Sequence, residues 1–356
     1  MEQENNNLNE EKKDPLVEII DPLLEWFEQN KRSFPWREVQ QPYHVWISEI
    51  MLQQTRIEAV IEHYNRFMQE LPDIGSLSRV SEERLLKLWE GLGYYSRAKN
   101  LKKAAQVIME QYDGQMPRTY EQLITLAGIG EYTAGAIASF CFGEKVPAVD
   151  GNVLRVLARL TGDRENVLLP QTKKAAAARL RSIMPEQAGA FNEAIMELGE
   201  TVCLPGGVPK CDICPLKGQC TAYRESLTAE LPVRIKVMKR KTVHKTIFLL
   251  CSEDNRIAIE KRQDKGLLAG MYQLPNTDRS LSPDQADVHL REWGIEAEKG
   301  EYLGEAKHMF THIDWIMRGY RFCIRQKNDR FIWVTKDELE RAYALPTAFR
   351  VFLNRW

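Results

Sequence analysis

The sequence predicts a multi-domain protein in which an all-α region of many short helices is followed by a small α+β domain. At roughly 100–200 residues per domain, its 356 residues allow two or three units. The helical part extends to about Tyr223. Within it, apolar residues recur at three- and four-residue steps, for example at Ile57, Val60 and Ile61, which is the period of a helix face packed on a core. After Thr242 the apolar runs become short, β-branched and aromatic, which indicates strands.

These changes in pattern predict four segments along the chain. They are a flexible tail at 1–17, the helical region at 18–225, a basic linker at 226–241 and the α+β domain at 242–356. Between Leu231 and Lys245 the chain carries six Lys or Arg residues and no acidic residue. This segment is either a solvated connector or a strip of chain that follows a phosphate backbone.

Composition narrows the class and the compartment of the protein. Hydrophobic residues make up 44% and charged residues 28% of the chain, which excludes a disordered or fibrous protein. The formal net charge of −1 gives no strong field, so any nucleic-acid partner has to be held by local patches. No apolar run approaches the ~18–20 residues of a membrane span, and the acidic N-terminus lacks the apolar core of a signal peptide. We therefore expect a cytoplasmic protein with no membrane partner.

Four of the seven cysteines form a cluster in the sequence. These are Cys203, Cys211, Cys214 and Cys220. Four thiolates at this spacing can surround one metal centre, and both zinc and an iron–sulfur cluster accept four Cys ligands. The other three, Cys141, Cys251 and Cys323, lie singly in apolar runs, and we expect them to be buried.

A short glycine motif, Leu126-Ala127-Gly128-Ile129-Gly130, lies between two predicted helices. A hairpin there leaves backbone N–H groups exposed at the start of the second helix, where the helix dipole favours an anion such as a DNA phosphate. Taken alone the motif is a weak signal, because a Gly-x-Gly between helices is more often only a tight turn.

Two carboxylates have contrasting sequence environments. Glu49 lies in an apolar helical run, and desolvation there raises the pKa of a carboxyl group, which suits a general acid. Asp150 directly precedes a helix, and an N-cap position favours the ionised form, which suits stabilisation of a cation. One protonated and one ionised carboxyl group is the arrangement that cleaves glycosidic bonds. A partly solvated Glu and an Asp that only caps a helix are the alternatives.

Several motifs in this order make the chain similar to the adenine DNA glycosylases of the MutY type, which belong to the helix-hairpin-helix superfamily together with endonuclease III. They are Pro35-Trp36-Arg37, WISEIMLQQTR, WEGLGYYSRA, LAGIGEYTAGAI, AVDGNVLRV, FNEAIMELG and the four cysteines. The resemblance is dense over residues 18–225 and weaker towards the C-terminus.

The resemblance implies a role for individual residues of the helical region. Glu49 corresponds to the acid that protonates adenine N7, and Asp150 to the carboxylate that stabilises the oxocarbenium-like sugar. Tyr132 occupies the position at which lyase-competent relatives carry a Schiff-base lysine, so hydrolysis without strand cleavage is expected. Asn152, Arg37 and Glu193 match positions that support the pocket. Gln54 and Tyr94 match residues that insert into the duplex. Gly128 and Gly130 match the DNA-binding hairpin.

The resemblance also implies one 4Fe-4S cluster on the four cysteines, in place of zinc. Relatives usually have six residues between the first two of these cysteines, whereas this chain has seven, including Gly206 and Gly207. We expect the cluster to be retained because two glycines allow the extra residue to bulge outward.

The C-terminal domain resembles the Nudix-like domain of the same family. It lacks an Arg-Glu-x2-Glu-Glu box, so magnesium-dependent catalysis is not expected there. Phe310, Thr311 and His312 fall where relatives carry Phe-Ser-His on a hairpin that reads 8-oxoguanine. Thr keeps the hydroxyl group of Ser and adds a methyl group.

The resemblance thus implies a bacterial-type monomer that acts at the nucleoid and removes adenine opposite 8-oxoguanine or guanine. Two alternatives are a non-catalytic iron–sulfur DNA-binding protein and a glycosylase/lyase for damaged pyrimidines. The presence of both Glu49 and Asp150 argues against the first, and the absence of a hairpin lysine argues against the second.

Overall fold

The computed structural model describes residues 14–235 and 240–356. The described chain forms two compact units, one built from 14–53 and 110–235, the other from 54–109 and 240–356. Segment 54–109 therefore belongs to the same unit as the C-terminal segment, although its sequence pattern groups it with the helical region.

Helices account for most of the chain before the basic linker. They are α1 Ile20–Asn30, α2 Pro35–Glu38, α3 Pro42–Leu52, α4 Ile57–Glu70, α5 Ile74–Arg79, α6 Glu82–Leu88, α7 Ser96–Gln111, α8 Tyr120–Leu123, α9 Glu131–Phe142, α10 Gly151–Thr161, α11 Pro170–Ile183, α12 Ala188–Thr201 and α13 Thr221–Arg224, with 3₁₀ helices at Pro15–Ile19 and Cys211–Ile213.

The C-terminal segment adds a sheet and three helices. Its elements are β1 Lys241–Ser252, β2 Ile257–Lys261, β3 Tyr272–Gln273, β4 Asn276–Thr277, α14 Pro283–Glu292, β5 Glu301–Met309, β6 Ile313–Ile324, β7 Ile332–Val334, α15 Lys336–Ala342 and α16 Arg350–Leu353, with a 3₁₀ helix at Thr347–Phe349. The predicted all-α region followed by an α+β domain is confirmed.

The first unit has a core built by α1, α10 and α12. Fully buried side chains on these helices, such as Leu23, Val156 and Phe191, belong to one cluster. Their three- and four-residue spacing gives each helix one apolar stripe, which can be buried only against another helix. This packing fixes α10 and α12, which carry most of the candidate site.

The sheet of the second unit has the order β3-β2-β1-β6-β5, with β4 paired to β1 and β7 to β2. The central pair β1 and β6 is parallel from Lys241↔Ile313 to Ser252↔Ile324. Successive side chains of β1 point to opposite faces. Leu249 therefore belongs to the core that contains Phe352 of α16, and Phe248 to the core that contains Leu290 of α14.

The structure corrects parts of the expected tail and linker. Residues 1–13 and 236–239 lie outside the described residues. Pro15–Ile19 forms a 3₁₀ helix with Leu16 buried, and Asp14 pairs with Arg179 at 2.7 Å. The N-terminal part of the linker is also packed, because Leu231 is buried.

The expectation for the isolated cysteines is confirmed for one of the three. Cys251 is buried, Cys141 is partly exposed and Cys323 is exposed. Phe322 and Ile324 face the core, and strand alternation turns the intervening Cys323 to the opposite side. Among the described residues, no helix is long and apolar enough to cross a membrane.

Candidate active site

Helix α3 places Glu49 in an almost fully buried position. The helix is apolar around it, and Glu49 is only 8% exposed. Its Oε2 atom accepts a hydrogen bond of 2.6 Å from the hydroxyl group of Tyr132. The pKa of Glu49 is raised to about 7, chiefly by burial and also by the charges of Glu193 and Asp150, while the hydrogen bond from Tyr132 and the charge of Arg37 act to lower it. The raised pKa expected for this residue is confirmed.

Asp150 caps the N-terminus of α10, as the sequence predicts. Its Oδ1 atom accepts hydrogen bonds from the backbone N–H groups of Asn152 at 2.9 Å and Val153 at 2.8 Å. Its Oδ2 atom accepts a third from the side-chain amide of Asn152 at 2.9 Å. The expected direction of its pKa is wrong, because burial raises the pKa of Asp150 and outweighs the two backbone hydrogen bonds that lower it.

Tyr132 lies in the first turn of α9 and bridges two sides of the site. Besides Glu49, its hydroxyl group contacts Met196 Sδ of α12 at 3.6 Å. Removal from water raises the pKa of Tyr132 far above its usual value, and the nearby carboxylates add to this effect. The hydroxyl group therefore keeps its proton and acts as a donor towards Glu49.

Arg37 and Glu193 form an ion pair next to these residues. Arg37 Nε lies 3.0 Å from Glu193 Oε1, and Arg37 Nη1 lies 2.9 Å from Glu197, which is 1% exposed. Burial raises the pKa of Glu193, and Arg37 lowers it. The structure thus brings Glu49, Tyr132, Asp150 and this pair together in the first unit.

Arg155, which was not predicted from the sequence, extends the hydrogen bonds of Asp150. Arg155 Nη2 donates to Asn152 Oδ1 at 2.8 Å, and its Nε donates to the carbonyl oxygen of Cys203, also at 2.8 Å. A continuous series of contacts therefore links the carboxylate to the cysteine loop. The available signal was an arginine on the apolar face of an amphipathic helix, where a charged side chain is buried only if it is paired.

The four clustered cysteines line one small cavity of about 30 Å³. Burial raises the pKa of the thiols of Cys211, Cys214 and Cys220. Arg159 and Lys217 also line the cavity, and Arg159 Nη1 lies 3.2 Å from Cys203 Sγ. Sulfur donors next to cationic side chains fit an anionic thiolate-ligated centre. Within the described residues, no three His, Cys, Asp or Glu side chains are arranged for a single metal ion.

The extra residue between the first two cysteines lies in an open loop. Gly206 and Gly207 have positive φ angles of 73° and 72°, and no atom would contact a Cβ at either position. The next residue, Val208, is 89% exposed. The expected outward bulge is therefore confirmed.

The glycine hairpin leads from α8 to α9. Gly128 has a φ of +79°, a conformation that favours glycine. Gly130 is the N-cap of α9, and nothing lies within 4 Å of where its Cβ would be. An open helix N-terminus of this kind can receive an anion.

Gln54 and Tyr94 belong to the second unit. Both are non-glycine residues in the left-handed region, with φ of 59° and 45°, a strained conformation that occurs often at functional sites. Tyr94 is 45% exposed. Arg97, which the sequence analysis also missed, supports its turn, because Arg97 Nη2 donates to the carbonyl oxygens of Leu92 and Gly93.

Residues 310–312 form the turn between β5 and β6. Phe310 N–H donates to the Ile313 carbonyl at 2.8 Å, so Thr311 and His312 occupy a two-residue loop. Phe310 anchors this turn through an edge-to-face contact with Trp315. The Thr311 hydroxyl group lies 2.8 Å from the hydroxyl group of Tyr94. The structure thus brings together two residues that the sequence analysis assigned to different tasks.

Comparisons with known proteins match both parts of the chain. A family model described as the HhH-GPD superfamily base excision DNA repair protein matches residues 47–186, and a NUDIX domain model matches 246–355. Adenine DNA glycosylase of Mus musculus is 35% identical over 85% of this chain and 70% of its own length. The adenine DNA glycosylase of Buchnera aphidicola subsp. Baizongia pistaciae is 34% identical over 91% of this chain and 93% of its own length. This chain belongs to the adenine DNA glycosylase family.

Membership in the adenine DNA glycosylase family makes the protein a DNA glycosylase of base excision repair. The Arabidopsis thaliana relative is 36% identical over 82% of this chain, which spans 55% of that relative's length. The structure of a thermostable thymine-DNA glycosylase aligns over 59% of this chain and 97% of its own length. The TM-score is 0.55 and the sequence identity 27%. An endonuclease III structure in a non-covalent DNA complex shares the fold, with a TM-score of 0.51 at 22% identity over 60% of this chain and 96% of its own.

Proposed function

We propose that this protein hydrolyses the N-glycosidic bond of adenine mispaired with 8-oxoguanine or guanine, without cutting the DNA strand. The observation that carries the proposal is the pair of carboxyl groups in the first unit. Glu49, whose pKa is raised to about 7, is still protonated in a large fraction of the molecules at neutral pH. Asp150 accepts three hydrogen bonds that favour its charged form and oppose the burial that raises its pKa.

The proposed reaction uses these two groups in sequence. The extruded adenine receives the Glu49 proton at N7, and the bond between N9 and C1′ breaks with its electrons leaving on the base. The sugar is left with positive charge, which the Asp150 carboxylate stabilises. Water adds to C1′ and releases a proton, which restores the acid and gives an abasic site with free adenine.

Tyr132 limits the chemistry to hydrolysis. A lyase forms an imine between C1′ and a lysine amine and then cleaves the strand. The phenol of Tyr132 has no nitrogen for an imine, and its hydroxyl group is engaged with Glu49. The proposed enzyme is therefore monofunctional.

We assign a 4Fe-4S cluster to Cys203, Cys211, Cys214 and Cys220, on the basis of their common cavity and its cationic lining. When bound, the cluster supplies a rigid anchor for the loop that contains these cysteines. Arg155 connects this loop to Asn152, so an ordered loop supports the orientation of the Asp150 carboxylate.

The proposed substrate is duplex DNA containing an A:8-oxoguanine or A:G pair, bound by a monomer in the bacterial cytoplasm at the nucleoid. Supporting features are the open N-terminus of α9 after Gly130 as a phosphate site, and exposed Gln54 and Tyr94 as residues inserted into the duplex. The Thr311 hydroxyl and the exposed His312 at the β5–β6 turn supply donors and acceptors for the oxidised guanine.

Single-turnover release of adenine tests the proposal. Duplexes with A:8-oxoguanine, A:G and A:T pairs are compared, and strand breaks are scored with and without alkali. We expect release from the first two, with breaks only after alkali. Breaks without alkali would contradict the monofunctional mechanism. Tight binding without adenine release would support a non-catalytic DNA-binding protein, and an unchanged rate in Glu49→Gln would refute the proposed acid.

A further inference from the structure

Asn192 on α12 is a buried amide whose three hydrogen bonds all lie away from the carboxylates. It is 1% exposed. Its Oδ1 atom accepts from the backbone N–H of Ala148 at 3.1 Å, and its Nδ2 atom donates to the Val146 carbonyl at 2.9 Å and to Ser139 Oγ at 2.9 Å. Each polar atom of this amide therefore has a partner in the segment before α10 or in α9.

The two backbone contacts follow the pattern of a β bridge. Val146 C=O and Ala148 N–H flank Pro147, and both point to the same side of the segment because one carboxamide bonds them both. A neighbouring parallel strand would donate to the first and accept from the second, and the carboxamide of Asn192 does both. A carboxamide carries both an acceptor oxygen and N–H donors, so one side chain satisfies the Ala148 N–H and the Val146 carbonyl at once.

Helix α9 presses the same segment from its own side. A Cβ added at Gly135 would lie 2.4 Å from the Pro147 carbonyl oxygen, and one added at Gly189 of α12 would lie 2.7 Å from the Ser139 carbonyl oxygen. Helix α9 therefore approaches both the segment and α12 at backbone distance. The segment is contacted by α9 and by the Asn192 amide of α12, and Asp150 follows two residues after Ala148.

We propose that Asn192 is a positioning residue that sets the Asp150 carboxylate against the positive charge that develops on the sugar. It acts through the backbone of 146–149 and touches no reacting atom. The proposal rests on the function proposed for Asp150. Asn152 and Val153 fix the carboxylate relative to α10, whereas Asn192 fixes the segment by which α10 is attached.

The test measures how strongly the protein prefers a cationic sugar analogue. Duplexes carry opposite 8-oxoguanine either a cationic pyrrolidine abasic analogue or a neutral tetrahydrofuran abasic analogue, and both dissociation constants are measured. Asn192→Leu has a similar volume and removes all polar contacts. In Asn192→Asp, the protonated carboxyl group keeps an oxygen that accepts from the Ala148 N–H and an O–H that donates to the Val146 carbonyl. Ser139→Ala is the matched control because it leaves both backbone contacts intact, and Asp150→Asn is the reference.

Wild-type protein and Ser139→Ala are expected to bind the cationic analogue more tightly than the neutral one. Asn192→Leu should lose this preference while its affinity for the neutral analogue stays unchanged. Its single-turnover release of adenine should fall about 100-fold, because a misplacement of about 1 Å costs about that much in rate. Asn192→Asp should retain part of the preference, which also provides a result if Asn192→Leu does not fold.

Three results would overturn the inference. Loss of affinity for both analogues in the same proportion would mean a purely structural role for Asn192. If Asp150→Asn abolishes the preference for the cationic analogue and both Asn192 variants keep it, the inference about Asn192 is refuted and the proposed role of Asp150 stands. A preference that Asp150→Asn keeps would refute the proposed role of Asp150, and the inference with it.

Discussion

Replacement of Glu49 by Gln is expected to make the protein more stable and, at the same time, much less active. In an unfolded chain this carboxyl group titrates near 4.5, and in the folded protein its pKa is about 7. Between these values the folded state binds more protons than the unfolded state, so stability falls as the pH rises. Each pKa unit corresponds to about 1.4 kcal/mol, so full ionisation costs the folded protein about 3 kcal/mol. Gln keeps an oxygen for the Tyr132 hydrogen bond and never ionises.

The stability difference between Glu49→Gln and wild type should therefore grow with pH. We expect it to increase by roughly 2–3 kcal/mol between about pH 5 and about pH 8.5. Native-state hydrogen exchange of the amides in α3, corrected for the intrinsic pH dependence of exchange, measures this difference locally. Glu121→Gln, at an exposed position, is the matched control and should show no such growth.

The same titration should appear in catalysis. Because the protonated carboxyl group is the proposed donor, wild-type adenine release should fall as the pH rises through about 7, and Glu49→Gln should lose about 10²–10⁴-fold in rate. A stability difference that does not vary with pH would show that the carboxyl group is ionised in the folded protein, and the argument for a protonated acid would be refuted.

Three further substitutions test other contacts of the site. Tyr132→Phe removes the hydrogen bond that lowers the pKa of Glu49, so the alkaline limb of the pH–rate profile should move to higher pH. An unchanged limb would contradict this. Arg155→Met should misplace the Asp150 carboxylate at the start of α10 and so reduce single-turnover release by about 10²-fold, while DNA binding is retained. An unchanged rate would show that the link to the cysteine loop does not matter. Thr311→Val removes the 2.8 Å contact with Tyr94 and should lower the preference for A:8-oxoguanine over A:G by roughly 2–10-fold, measured as a ratio of rates, whereas Thr311→Ser should preserve the ratio.

Local features of the site could be predicted from the sequence because they depend on near neighbours. An apolar helix around Glu49 predicts desolvation, and an Asp before a helix predicts the cap at Asp150, and both are present. The direction of the Asp150 pKa was wrong because burial depends on distant segments that pack over α10. Arg155 and Asn192 were missed for the same reason, since their partners, apart from the nearby Asn152, lie 44–53 residues away in sequence.

The sequence by itself determined the order of the helical and α+β parts, the cysteine set and the types of residue available for chemistry. These follow from periodicity, spacing and functional groups, which are properties of short stretches of chain. Tertiary structure alone decided which unit segment 54–109 joins, that Cys323 is exposed, and that the hydroxyl groups of Tyr94 and Thr311 meet. The physical reason is that burial and long-range hydrogen bonds arise only when separate elements pack, and no local pattern records which elements those will be.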